Sequence, residues 1–298
     1  MAIYLQDIKK ILTYNCRASK GETLSPNEAL SMKKDSRVSQ KKGLTVLSST
    51  DRFSFSCHPK VTCFTQCCRN ITIFLSPYDI IRMKNALQIP SEQFLNDYTL
   101  TVLGDLGLPV VLLKMGDNQE KSCPFVTPRG CHIYPNRPWS CRIYPLQPES
   151  TAITEKIKKE YYSIMDVSFC FGLLEDKTSE IADWKKSQGL LIYQEMEKDF
   201  KKIMTNSQLA GQKITNKKIR EMFYMACYDI DRFRRFVFES KFLKIYEIDS
   251  AIVKKIKDDD VELFKLAMRW LEHGMIGQKV LKIKPQVIKA KKQDLGIQ

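Results

Sequence analysis

Cys57-His58-Pro-Lys-Val-Thr-Cys63-Phe-Thr-Gln-Cys67-Cys68-Arg69-Asn70 is the stretch from which the rest of the chain is read. It puts four thiols within twelve residues. Cys123-Pro-Phe-Val-Thr-Pro-Arg-Gly-Cys131-His132-Ile-Tyr-Pro-Asn-Arg137-Pro138-Trp139-Ser-Cys141-Arg142-Ile-Tyr144-Pro145 adds three more, and Phe169-Cys170-Phe-Gly172 an eighth. Glycines, prolines and polar residues flank these positions, as they do where loops curl around a ligand. Soft thiolates suit zinc and iron–sulfur clusters, and four of them complete either kind of site. The candidate metal ligands are therefore Cys57, Cys63, Cys67, Cys68, Cys123, Cys131, Cys141 and Cys170. They suffice for two four-ligand sites, or for one site with structural thiols beside it. Cys67 and Cys68 are adjacent and their side chains tend to point apart, so one of the pair is expected to serve a second site or to pack inside.

Ten cysteines in 298 residues would mean a disulfide framework in a small exported domain. This chain is long enough for a sizeable core. Its start, Met1-Ala-Ile-Tyr-Leu-Gln-Asp-Ile-Lys-Lys, lacks the continuous apolar stretch of a signal peptide. No run approaches eighteen apolar residues, and the longest, such as Val110–Leu113, fit a strand. The expected compartment is the cytoplasm, where thiols stay reduced, and metal ligation is the expected use of the cysteines.

The net charge of +14 is concentrated at the ends. Residues 1–50 carry nine Lys/Arg against four Asp/Glu, and Lys279–Gln298 carries six Lys against one Asp. Such ends can reach nucleic acid or an anionic membrane surface. Neither interleaves aromatics with its lysines as a single-strand binder does, so solvated extensions are the preferred reading.

Residues 1–14 place Ile3, Tyr4, Ile8, Ile11 and Leu12 at helical spacing, and Ser19–Thr50 has the composition of a linker. Ile71–Leu75 and Pro109–Met115 are strand candidates. Ser76-Pro77 supplies an N-cap and a first-turn proline for a helix carrying Ile80, Met83 and Leu87, which must stop near Ile89 before Pro90. Ser91 opens a second short helix with Phe94, Leu95 and Tyr98. Beyond about residue 178 the pattern is helical: from Thr178 or Ser179 to about Ile203, then Thr215–Tyr228, Asp229–Lys241, Glu247–Lys257 and Asp260–His273. The expected fold is α+β, an irregular cysteine-rich metal-binding domain of short strands and helices followed by a helical C-terminal region. The divisions are 1–50 (basic extension), 51–200 (cysteine cluster), 201–278 (helical, packed on it) and 279–298 (basic tail).

The spacing fits none of the common templates. Zinc-ribbon pairs and the bacterial ferredoxin run are missing. Cys63 and Cys67 satisfy the first gap of Cys-x3-Cys-x2-Cys, but Asn70 stands where the third thiolate belongs. The chain does resemble one family. Cys63-Phe-Thr-Gln-Cys67-Cys68-Arg69-Asn70-Ile71, Leu75-Ser-Pro-Tyr-Asp79-Ile80, Cys123-Pro-Phe, Gly130-Cys131-His-Ile-Tyr134 and Arg137-Pro138-Trp139-Ser-Cys141-Arg142-Ile-Tyr144-Pro145 are similar to the YkgJ-like cysteine-cluster family, also written CxxCxxCC, a zinc- or iron-chelating domain. The likeness runs from about Phe53 to Gly189, and Phe223–Phe236 resembles longer members. Three residues rather than two separate Cys63 from Cys67, a departure from the family pattern. The resemblance implies metal chelation; the expected cofactor is an iron–sulfur cluster, with zinc as the alternative. Members are called iron–sulfur oxidoreductases, and one branch is similar to the flagellin lysine methylase. If the chain is an enzyme, one of those activities is implied. No glycine-rich nucleotide loop or phosphate loop is present.

His58 and His132 adjoin cysteines and could complete a mixed site, though a role beside the site is the simpler reading. Arg137 and Arg142 flank Cys141, where they could tune thiolates or make structural ion pairs. Trp139 and Tyr144 are expected to shield the site. Cys16 reads as an exposed linker thiol, Cys227 as core, and Asp229, Asp231, Arg232, Arg234 and Arg235 as a salt-bridged face. The leading function is an iron–sulfur protein supporting redox or methyl-transfer chemistry, with a redox or protein partner. The alternatives are a non-catalytic zinc module that binds a protein or nucleic acid, and a metal-handling protein.

Overall fold

A computed structural model of the protein describes residues 46–149, 160–165, 169–207, 209 and 213–294. The expected helix over residues 1–14, most of the linker, and Cys16 lie outside them. The order of elements is β1 (Leu47–Ser48), β2 (Arg52–Ser54), β3 (Phe74–Leu75), α1 (Pro77–Leu87), α2 (Ser91–Tyr98), β4 (Thr99–Leu103) and β5 (Pro109–Leu113). There follow β6 (Val126–Thr127), β7 (Gly130–Cys131), α3 (Trp139–Ile143), β8 (Leu146–Glu149), β9 (Tyr161–Ile164) and β10 (Thr178–Glu180). The rest is α4 (Ile181–Ser187), α5 (Leu190–Met196), α6 (Lys198–Met204), α7 (Lys217–Cys227), α8 (Ile230–Glu239), α9 (Phe242–Ile245), β11 (Tyr246–Glu247), α10 (Ser250–Lys255), α11 (Asp260–Met275), β12 (Lys282–Ile283) and α12 (Pro285–Asp294). The fold is α+β with a helical C-terminal region. None of the described helices is long and apolar enough to cross a membrane.

Among the described residues all the strand pairs are antiparallel, in small separate sheets: β3-β5-β4, β1-β9-β8, β10-β2, β6-β7 and β11-β12. Helix α1 starts as its sequence requires. Ser76 Oγ accepts the Asp79 amide, and the Asp79 carboxylate accepts the Ser76 amide in a reciprocal capping box, with Pro77 at the first helical position. The helix ends at Gln88 in the left-handed region, ahead of Pro90.

Several boundaries differ from expectation. Glu247 does not open a helix but lies in β11, paired with Lys282 of β12, and the helix after it starts at Ser250 with Asp249 as its cap. Thr178 and Ser179 do not cap a helix; they form β10 against β2, and the run to Ile203 is three short helices. The break between α4 and α5 falls at Gly189, whose φ of 64° suits glycine, and the Arg142 guanidinium lies 3.4 Å from where a Cβ would stand. The cap of α7 is Asn216 rather than Thr215.

Two hydrophobic cores result. The larger joins Leu75, Ile80, Met83, Phe94 and Val111 of the cysteine-bearing half to Phe223, Phe233, Leu263 and Trp270 of the helical region. The smaller holds Phe53, Phe55, Ile143, Leu146, Tyr162, Ile181 and Leu190. Cys227 is buried in the larger core, as expected of it. The charged group after Asp229 is a salt-bridged face: Lys84 of α1 pairs with Asp260 (2.8 Å) and Asp231 (3.5 Å), and Arg234 pairs with both of these aspartates. Ser91 adds hydrogen bonds to Asp229 and Asp231 at 2.7 Å each.

Candidate metal centre

The local backbone draws the two thiol segments together. Thr65 and Asn70 both have positive φ (67° and 47°), so the chain turns sharply on either side of the Cys67–Cys68 doublet. The Cys123 amide donates to the Cys68 carbonyl at 2.8 Å, and the Asn70 amide to the Lys121 carbonyl at 3.0 Å. β6 and β7 then set Val126 opposite Cys131, and α3 presents Cys141. On the far side the Phe171 amide donates to Cys63 Sγ at 3.2 Å, which places the Cys170 loop against the first segment.

The thiols fall into two overlapping groups. Cys57 has Cys67, Cys63 and Cys170 as electrostatic neighbours. Cys141 has Cys123, Cys67 and Cys131. Cys67 belongs to both, and its strongest interaction is with Cys68 beside it. Cys123, Cys131 and Cys141 pack on the larger core and Cys170 on the smaller, so the cysteines stand at the seam between the cores. None of the eight is in a disulfide. Among the described residues, no three or more His, Cys, Asp or Glu side chains form a ready-made cage for one ion. The thiols are neighbours rather than a closed tetrahedron.

Burial pushes the Cys57 thiol up to about 11, and the neighbouring sulfurs add to the shift while Arg137 opposes it. Burial likewise takes Cys123 to about 11, and it raises Cys131 and Cys141. Cys67 is raised first by its hydrogen bond with Cys68 and then by burial. Without a metal these thiols hold their protons at neutral pH, so an ion that binds them displaces protons, and its affinity rises with pH.

Arg137 is the cation at the centre, an electrostatic neighbour of Cys57, Cys67, Cys131 and Cys141. Its guanidinium lies over the Tyr134 ring at 4.0 Å and Nη2 donates to Gln188. Arg142 is spent on structure: it donates to the carbonyls of Arg137 (3.0 Å), Gln188 (2.5 Å) and Pro135. His58 is turned to Glu175 at 3.0 Å, and His132 is exposed. Among three buried donors from one segment, Arg137 Nε and Trp139 Nε1 have no hydrogen-bond partner, and the Tyr144 hydroxyl has the Cys170 thiol beside it. The soft donor set and these N–H and O–H groups both suit a thiolate-bound metal, which carries negative charge on sulfur.

Residues 56–170 match the CxxCxxCC family, a putative zinc- or iron-chelating domain. The CxxCxxCC segment opens one residue before Cys57 and closes on Cys170. It thus holds all eight candidate ligands and leaves out Cys16 and Cys227. Its indicated function is metal binding, by zinc or iron chelation. No curated protein and no solved structure matches the chain.

A carboxylate pair supports the CxxCxxCC segment from behind, and nothing in its spacing announced it. Asp79, which caps α1, also accepts the Trp139 amide at 2.7 Å and so holds the start of α3. Burial, and then Glu197 nearby, raise Asp79 to about 7. A carboxyl raised in this way stabilises the fold below its unfolded pKa near 4, and that contribution is lost as pH rises through about 7. Glu197→Gln removes the like charge. The fall in stability between pH 5 and pH 8, read by urea unfolding, should shrink by about 1.4 kcal/mol for each unit that Asp79 drops. An unchanged fall would show that Glu197 does not act on Asp79.

Proposed function

We propose that the chain is an iron–sulfur protein whose eight cysteines, Cys57 to Cys170, hold the cluster and whose task is electron transfer or redox support for a partner protein. The observation that carries this reading is the meeting of thiols in two overlapping groups with Cys67 common to both and Cys68 beside it. One zinc ion uses four thiolates, and here twice that number share one neighbourhood. A cluster can draw on several of them, because its own sulfides bridge the irons. When bound, such a cluster accepts and releases an electron at sulfur-ligated iron. The residues of the chain bind it, keep much of it from water through Trp139, Tyr144 and the two cores, and place Arg137 against the thiolate charge.

The test is purification without oxygen, followed by measurement of iron, zinc, acid-labile sulfide and the visible spectrum. Iron with matching sulfide and a broad absorbance is expected. Stoichiometric zinc in a colourless protein would replace this reading with that of a zinc module.

A further inference from the structure

Buried hydrogen-bond donors rarely go unpaired, because each forfeits its water without compensation. The Tyr144 hydroxyl is a buried donor whose side-chain neighbour is a cysteine thiol. Its ring packs edge-on against Phe55 at 6.0 Å, and Phe55 lies against Gly172, two residues past Cys170. The group beside the hydroxyl is the Cys170 thiol, with Cys67 and Cys63 further off. That thiol is the hydrogen-bonding neighbour within the hydroxyl's reach, so the acceptor it meets is a sulfur of the first thiol group.

Arg137 stands between the two groups, an electrostatic neighbour of Cys57 in the first, of Cys131 and Cys141 in the second and of Cys67 in both. Its carbonyl is pinned by Arg142 Nε (3.0 Å) and by the Tyr193 hydroxyl (3.1 Å). Tyr134 covers the guanidinium and Gln188 takes Nη2, which leaves the buried Nε–H without a partner. The site already uses donors to sulfur, since the Phe171 amide meets Cys63 Sγ at 3.2 Å.

We propose that the Tyr144 hydroxyl and the Arg137 Nε–H are hydrogen-bond donors to the sulfurs of the metal centre and that they hold its reduction potential up; this rests on the iron–sulfur reading above. A hydrogen bond draws electron density from sulfur and favours the reduced, more negative state of the cluster. Tyr144 is thus more than a shield against water.

The experiment is a redox titration of anaerobically purified Tyr144→Phe, Arg137→Gln and Arg137→Lys, with iron and sulfide measured in each. Tyr144→Phe should keep its iron and its melting temperature while the reduction equilibrium shifts about tenfold toward the oxidised form, about 59 mV for one electron. Arg137→Lys keeps the charge but not the Nε–H, and it should fall with Arg137→Gln rather than with the wild type. Should Tyr144→Phe fail to hold iron, 3-fluorotyrosine at this position keeps the hydroxyl as a stronger donor and should raise the potential. Iron-loaded variants that titrate like the wild type would overturn the donor assignment alone. A wild-type protein that holds zinc and no iron would overturn the proposed function and this inference with it.

Discussion

Cys67→Ala is expected to lower the metal content of the purified protein more than any other single cysteine substitution. Cys67 is the one thiol that neighbours Cys57, Cys123 and Cys141 while touching Cys68. Loss of a sulfur from the periphery of one group leaves the other intact, whereas loss of Cys67 disturbs both. Iron, zinc and sulfide per chain should fall to less than half of the wild-type value. Cys227→Ser serves as the control: it is buried far from water in the larger core and should keep full metal content at some cost in stability. Equal stoichiometry in wild type and Cys67→Ala would remove the doublet from the centre of the site.

The second large effect concerns the fold. Lys84 is 6% exposed and faces two carboxylates, Asp231 and Asp260, which it shares with Arg234. Burial works against these carboxylates, but the Ser91 amide, Lys84 and Arg234 hold Asp231 below the ordinary range, and Lys84 and Arg234 do the same for Asp260. Truncating one member of a buried ion network leaves the others charged and unpaired. Lys84→Ala should therefore cost about 3–5 kcal/mol in urea unfolding at pH 7. The sign of the pH effect is opposite to that at Asp79. Depressed carboxylates stabilise the fold above their unfolded pKa, and the contribution is lost as pH falls through the lower folded value. The wild type should thus lose stability below about pH 4 more steeply than Lys84→Ala. A loss under 1 kcal/mol would mean that water or another cation replaces the ammonium.

The ligand candidates and the opening of α1 were legible because each depends on local chemistry. A thiol is recognisable in any context, and Ser76-Pro77 with Asp79 three residues past the cap states its own geometry. Strand β4, all of it exposed after Thr99, was not legible: Leu100, Val102 and Leu103 stand on a sheet edge where the alternation of buried and exposed residues is lost. The split of the 178–203 stretch was hidden for a similar reason. β10 exists because β2, over a hundred residues earlier, pairs with it. At the site, the roles of Arg137 and Arg142 could not be told apart by spacing, since both flank Cys141. Only the carbonyls of Arg137, Pro135 and Gln188, gathered from two segments, show that Arg142 is a brace. Glu197 met Asp79 across 118 positions of sequence, beyond the reach of any motif.

The seam between the two cores has a mechanical meaning. Cys170 rests on the smaller core, and Cys123, Cys131 and Cys141 on the larger. A metal centre that drew on both groups would act as a rivet through two plates. Its loss would be expected to loosen the joint before either plate lost its own packing. The left-handed turns at Thr65 and Asn70 and the amide tie from Cys123 to Cys68 keep the rivet hole in shape, so little of the binding energy has to go into closing the long loop between the two thiol segments.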